Sequence, residues 1–210
     1  MSFFLGLDLG QSQDYTALTV VRHEPRAYHV VHLERYPLGT LYPEIVEHVA
    51  TLIASLDKIP PARADGKSTK RSELVLDATG VGRPVTDMFR ESLGNGTVLR
   101  PVIIHGGEKE TRKGGFSRVP KRELVSRSVA LMQKGELRIA RGMALTPTLV
   151  EELTNFKIKV NISTGRDSYE AWREGDHDDL VLAVCLAVWG ASRPPRPKVR
   201  VVSVDRRDGK

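Results

Sequence analysis

The nine residues Val181 to Trp189 (VLAVCLAVW) carry no charge and almost no hydrogen-bonding capacity. The run is long enough for two to three turns of helix, and with apolar residues all round it must be buried on nearly every side. His177-Asp178-Asp179-Leu180 stands immediately before it. Two adjacent carboxylates at the mouth of a buried helix are costly unless positive charge meets them. The helix N-terminus supplies part of that charge through its unpaired N–H groups and its dipole. Taken alone, the pair reads as an N-cap aspartate with a second acid in the first turn. Two further carboxylates change the reading, because Asp8 and Asp77 each close an apolar, strand-like run (FFLGLD and LVLD). If these three elements converge, they build a carboxylate cluster, and such a cluster calls for a divalent cation.

Two hundred and ten residues, 40% hydrophobic and 28% charged, suit one globular domain with a sizeable core. No stretch approaches the roughly eighteen apolar residues of a membrane span. The start, MSFFLGLDLG, lacks a basic segment and a cleavage signal, so a cytoplasmic location is expected, the host cytoplasm for a viral chain. The single cysteine, Cys185, excludes an internal disulfide and a cysteine-rich zinc site. The net charge of +6 is unevenly spread. Lys109, Arg112, Lys113, Arg118, Lys121 and Arg122 face only Glu110 between residues 109 and 122, a local +5. Residues 193–210 add another +5, which leaves the rest at −4. An acidic body with two basic appendages fits a binder of phosphate backbones with a metal-holding floor.

Phe3 to Gly10 reads as a strand with Phe4, Gly6 and Asp8 on one face and Leu5, Leu7 and Leu9 on the other. Tyr15 to Arg22 and Arg26 to Tyr36 continue it as a meander. Leu41 to Leu56 has helical spacing, and the polar, proline-rich residues 57–73 read as an exposed loop. Gly66-Lys67-Ser68 is not a nucleotide-binding loop, since Pro61 stands where that motif needs glycine. Leu74 to Asp77 is a short buried strand, followed by a turn and a helix from about Arg83 to Leu93. Gly80-x-Gly82 lacks the third glycine of a dinucleotide fingerprint, Val85 taking its place. Val98 to Ile104 reads as a strand and His105 to Arg118 as a basic, glycine-rich loop or loose hairpin. Helices are expected from Pro120 to Lys134 and from Thr146 to Asn155, with a short strand Leu137–Ile139 between them. Phe156 to Val160 and Ser168 to Trp172 read as a hairpin. The sum is a mixed three-layer α/β domain over residues 1–192 and a basic tail over 193–210.

This order of strands and acids resembles the ribonuclease H-like fold, a mixed β-sheet flanked by helices on both faces. Within it the chain is similar to the nuclease domain of tailed-phage terminase large subunits. The carriers of the resemblance are Gly6-Leu7-Asp8-Leu9-Gly10 with Asp14 and Thr16, then Asp77-Ala78-Thr79-Gly80-Val81-Gly82, Val119-Pro120-Lys121-Arg122-Glu123-Leu124 and His177-Asp178-Asp179-Leu180. The resemblance implies a metal-dependent endonuclease that cleaves double-stranded DNA with low sequence specificity during genome packaging. It implies that Asp8, Asp77 and one or both of Asp178 and Asp179 are catalytic and hold two Mg2+ or Mn2+ ions, with Asp14 an accessory ligand. It also implies a terminase ATPase domain or subunit, the small terminase subunit and the portal as partners.

Phosphodiester hydrolysis needs an activated water, a stabilised phosphorane-like transition state and a neutralised leaving oxygen, the services of a two-metal site. Mg2+ and Mn2+ prefer the hard oxygen ligands that aspartate provides. His177 reads as a surface residue beside the acids. Lys109, Arg112, Lys113, Arg118, Lys121 and Arg122 are the expected DNA contacts, to backbone rather than to bases. Three rivals share parts of the pattern: a Holliday-junction resolvase-like nuclease, an actin-like or sugar-kinase-like ATP-binding module, and a non-catalytic DNA-binding subunit.

Overall fold

Both aspartates that close apolar runs stand at strand ends in the computed structural model, which describes residues 2–10, 14–59, 72–80, 82–94, 97–155 and 178–193. β1 (Ser2–Asp8) pairs antiparallel with β2 (Thr16–Glu24), and β2 antiparallel with β3 (Ala27–Tyr36). Helix α1 (Tyr42–Asp57) follows, with a proline in its first turn. β4 (Glu73–Asp77) then lies parallel to β1, and β5 (Val98–His105), reached through α2 (Gly82–Ser92), lies parallel to β4. β6 (Thr111–Lys113) and β7 (Phe116–Pro120) form an antiparallel hairpin whose second strand joins β5. The basic segment expected as a loop or loose hairpin is thus an ordered hairpin on the sheet edge. Gly114 and Gly115, at φ +60° and +87°, supply the left-handed backbone that its tight turn requires.

After α3 (Lys121–Gln133) comes β8 (Leu137–Ile139), parallel to β3, then α4 (Thr146–Asn155) and α5 (Asp179–Ala191). The eight described strands form one sheet in the order β6-β7-β5-β4-β1-β2-β3-β8. Helices cover both faces. Leu5, Leu7, Leu74 and Leu76 pack with Ile45, Val49, Val85 and Phe89 of α1 and α2. On the opposite face Ala17, Val75 and Val102 pack with α5 and with Leu124 and Leu149 of α3 and α4. The architecture is the three-layer, ribonuclease H-like α/β arrangement.

The apolar run of the sequence became α5, and every residue from Asp179 to Ala191 is buried. Its seat on β1 is made by Gly6, where a Cβ would lie 1.9 Å from the Ala183 carbonyl oxygen and 2.7 Å from the Ala187 nitrogen. Gly6 therefore lets two backbones touch, and the alternation along β1 sends Asp8 to that same helix side. Trp189 is fully buried, with the Arg193 guanidinium 4.2 Å above its ring and ion-paired to Glu110. Among the described residues no helix is long and apolar enough to cross a membrane. The expected hairpin from Phe156 to Trp172, His177, and the tail from residue 194 lie outside the described residues.

Candidate active site

The parallel register of β1 and β4 runs to Leu7 opposite Leu76, so Asp8 and Asp77 are the next step on adjacent strands. Hydrogen bonds just beyond each strand end fix the backbone there. After Asp8, Gly10 N–H donates to Thr16 Oγ1 at 3.0 Å, and its carbonyl accepts from the Tyr42 hydroxyl at 3.1 Å. After Asp77, Thr79 N–H donates to Asp77 Oδ1 at 2.8 Å, a side-chain turn of the kind aspartate favours. Thr79 Oγ1 in turn accepts from Ile104 N–H at 2.8 Å, which fixes the β4–α2 connection to β5.

The third element is the head of α5. Asp178 occupies the N-cap position but makes no side-chain capping bond; instead Lys121 Nζ donates to its Oδ2 at 3.1 Å. Asp178 thus stands at the N-cap position without its side chain acting as a cap. Capping falls to Glu152 of α4, whose Oε2 accepts from Leu180 N–H and Val181 N–H at 3.1 and 3.2 Å. Arg35 Nη2, from β3, donates to Glu152 Oε1 and lies 3.6 Å from Asp179 Oδ2. Its guanidinium also sits 4.9 Å above the Tyr15 ring. Nothing in the sequence marks Glu152 or Arg35, because an acid on α4 and a base on β3 look like ordinary surface residues. Both are largely buried, Glu152 at 7% exposure.

Asp77, Asp178 and Asp179 all lie within electrostatic reach of Asp8. Burial holds the Asp8 carboxyl well above its usual range, and the charges of Asp77, Asp179 and Asp178 push it further. Lys121 pulls it back only in part. Three aspartates acting on a fourth, beside Lys121 and Arg35, concentrate negative charge of the kind that a divalent cation would relieve. The donors are hard oxygens, and the residues fit Mg2+ or Mn2+. They do not close into a cage: among the described residues no group of three or more His, Cys, Asp or Glu is spaced to hold an ion as it stands.

Burial also lifts Glu152 from an ordinary 4.5 to about 7, although Arg35 and the Val181 N–H oppose the rise. Asp8 and Glu152 thus hold protons in the folded state at pH values where the unfolded chain has released them. Stability is then full below the unfolded values and declines as pH rises toward the folded ones. In EDTA the Tm should fall between pH 5.5 and 7.5, and Glu152→Gln should flatten that slope. A Tm that climbs across this interval in the wild-type protein contradicts the assignment.

The other expected site residues are placed less centrally. Asp14 is exposed and lines, with Gly10, Thr16 and Tyr42, a shallow cleft of about 200 Å³. It is not among the carboxylates that raise Asp8. Lys109, Arg112, Lys113 and Arg118 are exposed on or beside the β6–β7 hairpin. Arg122 is exposed at the start of α3 and donates to the Glu108 carbonyl at 3.1 Å, whereas Lys121 turns inward to Asp178. The fold adds two arginines that the charge pattern missed. Arg83 and Arg90 of α2 bring Nη2 atoms within 3.5 and 3.7 Å of where side chains on Gly114 and Gly115 would begin.

Neither a family model nor a curated protein matches the sequence. Solved structures do match in fold. One is a human cytomegalovirus terminase nuclease domain, Mn soaked: TM-score 0.57 and 15% identity over 90% of this chain and 81% of that one. A large terminase nuclease from thermophilic phage G20c with bound magnesium gives TM-score 0.57 and 23% identity over 90% and 80%. A large terminase from another thermophilic bacteriophage gives TM-score 0.53 and 12% identity, with 89% of this chain spanning 39% of that one. The chain has the fold of terminase large-subunit nuclease domains.

Proposed function

We propose that this chain, with its terminase-nuclease fold, is a metal-dependent endonuclease that cuts double-stranded DNA during the packaging of a phage genome. The observation that carries the reading is that Asp77, Asp178 and Asp179, from two distant segments, bring their charges to bear on the buried Asp8 carboxyl, which resists ionising. Residues 1–192 act as the nuclease unit and the basic residues beyond as an appendage. Asp8, Asp77 and Asp179 are the ligands of two Mg2+ or Mn2+ ions, with Asp178 beside them and Asp14 accessory. Bound there, the ions supply Lewis acidity toward the phosphate and a nucleophilic water at neutral pH.

The chain's own residues do the rest. Asp8 and Asp77, on the rigid ends of neighbouring strands, fix the floor against which the scissile phosphate rests. Lys121 exchanges Asp178 for a phosphate oxygen when substrate enters. Lys109, Arg112, Lys113, Arg118 and Arg122 contact the backbone on either side, as do Arg83 and Arg90. Backbone contacts carry little sequence information, so cutting has low specificity and binding weakens steeply with salt. A terminase ATPase domain or subunit, the small subunit and the portal are its partners, in the host cytoplasm.

The test is a plasmid assay. With Mn2+ or Mg2+ the purified chain should nick and then linearise supercoiled DNA, and EDTA should stop both. Absence of cleavage across a range of both metals, or cleavage that persists in EDTA, overturns the reading. Faster cutting of a four-way junction than of linear duplex moves the resolvase reading ahead, and ATP hydrolysis by the chain moves the ATP-binding one.

A further inference from the structure

We infer that Arg35 and Glu152 are positioning residues that hold the two carboxylates at the head of α5 toward Asp8, so that their loss weakens metal binding without unfolding the protein. The inference rests on the nuclease reading and names two residues it does not otherwise use.

A helix N-terminus attracts the nearest carboxylate. Its first N–H groups lack intrahelical partners, and an aspartate at the N-cap or first turn ordinarily folds back to accept from them. Asp178 and Asp179 are ideally placed to do so, and a side chain thus engaged is turned away from the sheet. Here the Leu180 and Val181 N–H groups are already taken, at 3.1 and 3.2 Å, by Glu152 from another helix. Asp178 makes no capping bond and pairs with Lys121. The cap has been imported from α4.

Imported capping creates its own difficulty, since Glu152 adds another carboxylate beside Asp179. Arg35 answers it by donating to Glu152 Oε1 while lying 3.6 Å from Asp179 Oδ2. One guanidinium thus spans the capping acid and the ligand acid. It is held over the Tyr15 ring at 4.9 Å. A buried ion pair contributes little to stability compared with apolar packing of the same volume. A cap alone could have come from Asp178 without any second helix. The arrangement makes sense as orientation: outer partners of metal-binding carboxylates fix their direction.

The test compares wild type, Glu152→Gln, Arg35→Met and Arg35→Lys at pH 8. Mn2+ binding is read by isothermal titration calorimetry, and fold by circular dichroism well below each Tm. Glu152→Gln and Arg35→Met should keep native secondary structure and lose on the order of 10- to 100-fold in Mn2+ affinity. Arg35→Lys should recover part of the loss. In plasmid cleavage the Mn2+ concentration giving half-maximal rate should rise by a similar factor. Should Glu152→Gln fail to fold, Arg35→Met decides alone, because Arg35 bonds no backbone group of α5. Variants that bind Mn2+ like wild type while only their Tm falls make these residues structural braces and overturn the inference. A wild-type chain that neither binds Mn2+ nor cuts DNA overturns the nuclease reading and the inference with it.

Discussion

Asp8→Asn should abolish plasmid cleavage, with a loss of about a thousandfold or more, while leaving the protein folded and at least as stable in EDTA as the wild type. The loss follows from position. Asp8 ends the strand between β2 and β4, and the other three aspartates act on its carboxyl. Removing its charge removes one carboxylate that would hold the proposed ions, whose stabilisation of transition-state charge would be worth several kcal/mol, at about 1.4 kcal/mol per factor of ten. Stability should move the other way. The folded protein resists ionising Asp8, so an uncharged isostere relieves repulsion among the acids. Asp77→Asn should behave alike, because an amide oxygen still accepts from Thr79 N–H. Plasmid nicking beside thermal melts in EDTA checks both. An Asp8→Asn protein that still cuts at a tenth of the wild-type rate sinks the assignment.

Gly6→Ala should be the most damaging single-methyl change in the fold. The added carbon would fall 1.9 Å from a backbone oxygen of α5 and 2.7 Å from a backbone nitrogen. No rotamer can relieve that clash, so helix and strand must separate. Overpacking against backbone costs about 3 kcal/mol or more, which for a chain of this size lowers Tm by roughly 6–12 °C. The damage should also reach the site, because Asp8 lies two residues along β1 and Asp179 heads the displaced helix. Mn2+ affinity of the surviving folded fraction should drop as well. Unchanged melting would mean that α5 does not rest on Gly6. Gly190→Ala offers a milder comparison, as its new carbon would meet the Val75 side chain at 2.6 Å.

Much of this was legible locally. The uninterrupted apolar run from Val181 to Trp189 forced a buried helix, and the apolar runs before Asp8 and Asp77 forced buried strands. Pro120 marked the junction where β7 gives way directly to α3, which sets Lys121 at the sheet's edge. The reading was weaker where local pattern competed with distant partners. Asp178 looks like an N-cap by every short-range rule, yet it pairs with Lys121 because Glu152 already occupies the helix N–H groups. The basic segment after His105 lacks periodicity and read as a loop or loose hairpin. Pairing with β5, and a two-glycine turn, make it an ordered hairpin beside the Arg83 and Arg90 side chains.

By itself the sequence determined which segments must be buried and which carboxylates end them, because hydrophobic periodicity and chain direction are properties of adjacent residues. It also determined that the positive charge is concentrated in two segments, residues 109–122 and 193–210. Only the tertiary structure decided that the charges of Asp77, Asp178 and Asp179 act on the Asp8 carboxyl, and that Arg35 and Glu152 stand at the head of α5. Those influences join residues up to 171 positions apart, from Asp8 to Asp179. A carboxylate's environment, unlike its secondary structure, is set by whatever the fold carries beside it.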